Sequence, residues 1–300
     1  MVVLARETLR GGTASMVLTP GGRADGSTLR SRRSLPRGLA GTMKAFSAAA
    51  LLVTSAPPTP DPSMVSPVSP QETGSRAPDP MYQVPYNGRY TFTRVRYGSG
   101  GMRSFGRGWS SAWNHDYPAA DRNMQVILEE FTAMLPNTGG SNVLDLEDPE
   151  IFKHPILYMS EPGFWTVTRE GAENLRYYLL KGGMLIFDDF EANQWHNMAA
   201  QVAQAIPEGQ WVEIDGLHPV FQSVFVIEDV YVPHPLVAVT PRYMAIFEDN
   251  DPDQRVMVLA NHNSDLAEYW EYSAQGYFPV DPTNDAYRVG VNEIVYGLTH

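Results

Sequence analysis

Three hundred residues, 43% of them apolar and 11% aromatic, are enough to build one large hydrophobic core or two small ones. The chain has no cysteine, which excludes disulfides, thiolate metal centres and cysteine nucleophiles together. Residues 1–44 hold eight Lys or Arg and two Asp or Glu, whereas residues 82–300 hold 13 and 29, so the acidic part argues against nucleic acid as a main partner.

The first 81 residues show no apolar periodicity and read as lying outside a folded domain. Within residues 1–56, Ser31-Arg32-Arg33-Ser34-Leu35-Pro36-Arg37 approximates a twin-arginine export motif. Alternatively, Met43-Lys44 begins a short signal peptide, with Ala45 to Val53 as its apolar region and Thr54-Ser55-Ala56 as its cleavage site. Export, to the periplasm, is the expectation; a misassigned start followed by a tail is the plain alternative. Residues 57–81 are a proline-rich linker. No run reaches the roughly 18 apolar residues that span a bilayer.

The folded domain is expected over 82–300. Tyr90 to Tyr97 alternates as a strand, with Arg94 and Arg96 on one face. A glycine-rich loop, Gly98 to Gly108, follows. It matches no phosphate-binding signature, and Arg103 and Arg107 in it are candidate contacts for an acidic protein partner. A helix is expected over Asp121–Leu135, with Asp121 as cap, and short strands at Val143-Leu144 and Pro155–Met159. Thr168 caps a second helix that Gly182-Gly183 ends, and Met184–Phe187 is the next buried strand. Asn197–Ile206 reads as helix. Trp211–Ile214, Tyr243–Glu248 and Arg255–Ala260 read as strands, and Asn284–Leu298 as the last helix. This alternation specifies an α/β fold, a doubly wound three-layer α/β/α sandwich on a mostly parallel sheet.

Ligand-facing groups in such a sheet stand past the carboxyl ends of the strands. Asp188 and Asp189 follow Met184–Phe187 there, and one of them could orient a substrate or bind a hard cation. Successive strand residues point to opposite faces, so both reach one ligand only if the strand has ended. The plain reading is that one caps the segment after Phe190 and the other pairs with an arginine. Glu161 follows the neighbouring strand and is expected beside Asp188. Trp113, His115 and Asp116, on a loop before a helix, suit ligand stacking or a metal, or else a helix-entry turn. His218-Pro219-Val220-Phe221 reads mainly as a packed turn, with His218 kept as a ligand candidate. No two histidines share a metal-binding spacing, so neither metal nor cofactor is expected, and convergence of His115, His196 and His218 on Asp189 is a minor alternative. No GxSxG nucleophile elbow is present.

Five stretches in order, Trp113 to Pro118, Pro155 to Tyr158, Gly182 to Asp189, His218 to Phe221 and Gly290 to Tyr296, resemble a bacterial family catalogued as domain of unknown function 4159. The resemblance covers about residues 88–299. It implies export and a flavodoxin-like fold similar to class I glutamine amidotransferases and ThuA-like proteins. The amidotransferase nucleophile is a cysteine, which this chain lacks. The preferred expectation is therefore a binding or assembly module for a small ligand or protein partner. A metal- or carboxylate-dependent hydrolase, acting on sugars or peptidoglycan-like polymers, is the first alternative. An extrinsic subunit in peripheral association with a membrane-bound complex is the second.

Overall fold

The computed structural model describes residues 83–99 and 112–300. The export signals, the linker, Arg103 and Arg107 lie outside the described residues. In chain order the elements are β1 (Thr93–Arg96), β2 (Gly98–Ser99), α1 (Ala119–Phe131), β3 (Asn142–Asp145), β4 (Ile156–Ser160), β5 (Trp165–Thr166) and α2 (Arg169–Leu180). There follow β6 (Met184–Phe190), α3 (Gln194–Ala205), β7 (Val212–Ile214), β8 (Arg242–Phe247), β9 (Val256–His262), α4 (Leu266–Glu271) and α5 (Val280–Thr299).

Seven strands form one mixed, mostly parallel sheet in the order β3-β1-β4-β6-β9-β8-β7, and β2 pairs with β5 in a separate ribbon. The strands from β3 to β9 run parallel; β8 is antiparallel to β9 and β7 to β8. The apolar runs of β4 and β6 make sense because both faces are covered. Ile156, Tyr158, Met184 and Ile186 enter the core built with α1, α4 and α5. Leu157, Met159, Leu185 and Phe187 enter the core built with α2 and α3. Strand β6 is central, three strands lying on either side.

Thr168 caps α2, its hydroxyl accepting the Gly171 N–H at 2.9 Å, and Gly182 leaves the helix at φ 104°. The first helix starts earlier than expected, at Ala119, so Asp121 lies inside it rather than capping it. Its far end is also shorter: the helix stops at Phe131, and Leu135 stands 66% exposed rather than on the buried stripe. Helix α4 was not anticipated.

Gly290 of α5 lies against α4 and α1. A Cβ there would stand 2.4 Å from Trp270 Cζ2 and 2.7 Å from Met124 Cε. Alanine gains about 1 kcal/mol in helix propensity, but forcing volume into a packed core costs about 1–3 kcal/mol. Gly290→Ala is therefore expected to lower the urea midpoint; a higher midpoint would show that α5 can retreat from α4.

At the outer strand β3, Asn142 Oδ1 accepts the Val84 N–H at 2.7 Å and the Val143 carbonyl accepts from Gln83 Nε2 at 3.1 Å. Among the described residues no helix is long and apolar enough to cross a membrane.

Candidate functional site

The register pairs Ser160 of β4 with Asp188 of β6, so Glu161 and Asp189 emerge side by side at the carboxyl edge of the central strands. Against β9, three residues from Phe187 to Phe190 span what two span in the partner, a bulge that re-aims the side chains. Strand β6 thus runs on through both aspartates and sends them to different places.

Asp188 turns into the protein. Its Oδ2 accepts the Tyr158 hydroxyl at 2.7 Å and the N–H groups of Leu266 and Ala267 at 2.9 and 3.1 Å. It anchors the start of α4. Burial pushes its pKa up to about 6. It is fully buried, and caps a helix far later in the chain than the one expected.

Asp189, at φ 59°, faces the crevice, with Oδ2 2.7 Å from His115 Nδ1 and accepting the Ser160 hydroxyl at 3.0 Å. His115 Nδ1 also lies 3.6 Å from Asp116 Oδ2 and 3.8 Å from Glu161 Oε1. One imidazole nitrogen therefore faces three carboxylates brought from three segments. Asp116 and Glu161 have left-handed backbones too, at φ 61° and 47°. Non-glycine residues seldom adopt this conformation, and it persists only where the surroundings enforce it.

The enforcement is visible. Arg94 donates to the carbonyls of Trp113 and His115 at 3.2 and 2.8 Å, fixing the turn before α1 from below. Glu161 N–H donates to the Asp188 carbonyl at 3.1 Å, and the Tyr97 hydroxyl donates to the Glu161 carbonyl at 2.6 Å. The glutamate side chain is left 25% exposed, while that of His115 is 41% exposed and those of Asp116 and Asp189 are buried.

Crowded carboxylates in a dry crevice resist ionising. Burial, then Asp189, pushes Glu161 up to about 7. Burial and Asp189 raise Asp116 well above the usual carboxylate range, and do the same to Asp265. The hydrogen bond to Asp189 raises His115 to about 10. Donor atoms of three groups lie within 4.8 Å of one another: His115, Asp116 and Glu268; His115, Glu161 and Asp189; Asp189, His234 and Asp265.

Of the residues singled out in the sequence, the structure brings together His115, Asp116, Glu161 and Asp189. Trp113 flanks them, half-buried with its ring 5.9 Å from that of Tyr117. Asp188 stands behind the crevice as a structural anchor. His218 is elsewhere. Its Nδ1 accepts the Val220 N–H at 3.2 Å, and its ring packs on Phe247, which pairs with the start of β9 at the amino end of the parallel strands. There it lines a separate open cavity of about 690 Å³. His196 belongs to none of the three donor groups.

The sequence reading missed Asp265, Glu268 and His234. For the first two a signal existed: Asp265-Leu266-Ala267-Glu268 has the spacing of a capping box, and Asp265 Oδ1 accepts the Glu268 N–H at 3.0 Å. No comparable signal marks His234, which is carried in a long irregular connection between β7 and β8.

No curated protein matches this chain. Residues 91–298 match the family described as Domain of unknown function (DUF4159), and over that span, which contains the whole carboxyl-edge crevice, the chain belongs to it.

Proposed function

We propose that the domain is a hydrolase that uses water as its nucleophile in the crevice of His115, Asp116, Glu161 and Asp189. One observation carries the reading. Three carboxylates, each on a left-handed backbone, are gathered around one half-exposed imidazole. Strain of this kind clusters where reacting groups are held in position. A covalent route finds little support: the chain has no cysteine, and the buried Ser160 hydroxyl is engaged by Asp189. Of the nucleophiles left, a carboxylate or water, we assign water, because Asp189 is held by His115 and Ser160, and the solvent-facing side of His115 is where a substrate would meet it. A flavodoxin-like, amidotransferase-related architecture fits helices packed on both faces of a mostly parallel sheet.

The test is a panel of chromogenic phosphate esters, carboxylic esters and glycosides with the full chain. Turnover is expected, and Glu161→Gln or Asp189→Asn should reduce it about 10²-fold or more, with circular dichroism unchanged and His218→Ala without effect. Turnover indifferent to both substitutions, or none across the panel, would overturn the reading. The absent cysteine favours a second reading, a binding or assembly module that uses the same crevice without turnover.

A further inference from the structure

We propose that the crevice is a divalent-cation site, with His115 Nδ1, Glu161 and Asp189 as its ligands and the buried Asp116 carboxylate beside the imidazole. The inference rests on the crevice being the working site, and gives the hydrolytic reading a means of activating water.

The first observation is Asp116. Its side chain is fully buried, and no amide, hydroxyl or guanidinium donor reaches either oxygen; its neighbour is another carboxyl, that of Glu268. A carboxylate removed from water without donors is costly unless something positive joins it. Among the described residues the cations acting on it are His115, at 3.6 Å, whose nitrogen Asp189 already holds at 2.7 Å, and Arg94, which is paired with Asp121.

The second observation is spacing. Oxygen and nitrogen ligands sit about 2.0–2.2 Å from an ion such as Zn²⁺, so neighbouring ligands stand about 3.0–3.5 Å apart. Asp189 and Glu161 lie 2.7 and 3.8 Å from one imidazole nitrogen, which brackets that range, and the three donor atoms lie within 4.8 Å of one another. The shortest is the hydrogen bond that an ion would replace. Ligation through Nδ1 leaves Nε2–H directed away from the cluster, as a donor toward substrate. Asp265 and Glu268 stand behind as further carboxylates.

One imidazole nitrogen with carboxylate oxygens favours Mn²⁺ or Zn²⁺ over Ca²⁺, which takes oxygen ligands in larger number. The exposed turn of Asp249, Asp251 and Asp253 is also acidic but brings no imidazole and no buried orphan, so it serves as the control.

The experiment titrates Mn²⁺ into the full chain, reading free ion by electron paramagnetic resonance and heat by calorimetry. One ion per chain is expected, displaced by Zn²⁺. Asp189→Asn and Glu161→Gln should each weaken binding at least tenfold and abolish the ion-induced rise in melting temperature. If either variant does not fold, His115→Gln takes its place. No binding of Mn²⁺ or Zn²⁺ at millimolar concentration would overturn the proposal. So would binding unchanged in every variant, which would assign the ion to the exposed turn. Binding without turnover sinks only the hydrolase; chelator-resistant turnover without binding sinks only the cation.

Discussion

Arg94→Leu is expected to lower the unfolding free energy by about 3–5 kcal/mol, the usual effect of removing one partner of a buried ion pair. Both side chains of the Arg94–Asp121 pair are at 0% exposure, with Nη2 2.7 Å and Nε 3.3 Å from Asp121 Oδ1. The guanidinium also sits 5.1 Å from the Tyr158 ring centre and holds two loop carbonyls. Leucine would leave Asp121 charged, dry and alone. Domains are stable by about 5–15 kcal/mol in total, so this single change removes a large part of the margin. The double variant Arg94→Leu/Asp121→Leu should recover much of the loss, because no charge is then orphaned. Urea denaturation followed by tryptophan fluorescence measures both. A single-variant loss under about 1 kcal/mol would mean that water reaches Asp121.

Asp188→Ala is the second large effect, about 3–5 kcal/mol, from orphaning three buried donors at about 1–3 kcal/mol each with partial relief by relaxation. The Tyr158 hydroxyl and the Leu266 and Ala267 N–H groups all end on one oxygen. Because Asp265 and Glu268 ride on the same turn, the loss should also loosen the back wall of the crevice. Asp188→Asn retains a carbonyl oxygen and is expected to cost much less, about 1 kcal/mol. Equal losses in both variants would show that charge, rather than the acceptor, anchors α4.

What the sequence disclosed and what it hid divide along physical lines. The buried strands at 156–160 and 184–187, the Thr168 cap and the glycine stop at 182 were legible, because each is written in neighbouring residues. Arg94 was read as one of two arginines on a strand face. Its partner lies 27 residues away, and nothing local distinguishes a buried arginine from a surface one. Helix α4 is six residues long, too short for an apolar period to show. His115, Asp116, Glu161 and Asp189 were recognisable by residue type at strand ends and helix starts, although their meeting at one nitrogen was not. Asp188 was misplaced because the strand runs three residues further, through a bulge, than its apolar stretch shows. His218 was kept as a candidate because a residue in an irregular connection does not reveal which end of the strands it returns to.

The covering of β3 has a consequence for assembly. Open sheet rims invite another chain to add a strand, and native proteins close them. Here one rim carries the Gln83–Val84 segment on its side-chain and carbonyl acceptors. The other rim, β7, is three residues long and bears the Glu213–Arg242 ion pair. Among the described residues, then, neither border of the main sheet offers the run of free backbone groups that strand addition needs. Any partner this domain recruits through that sheet must be recognised by side chains and shape, with the selectivity that implies, rather than by indiscriminate backbone pairing.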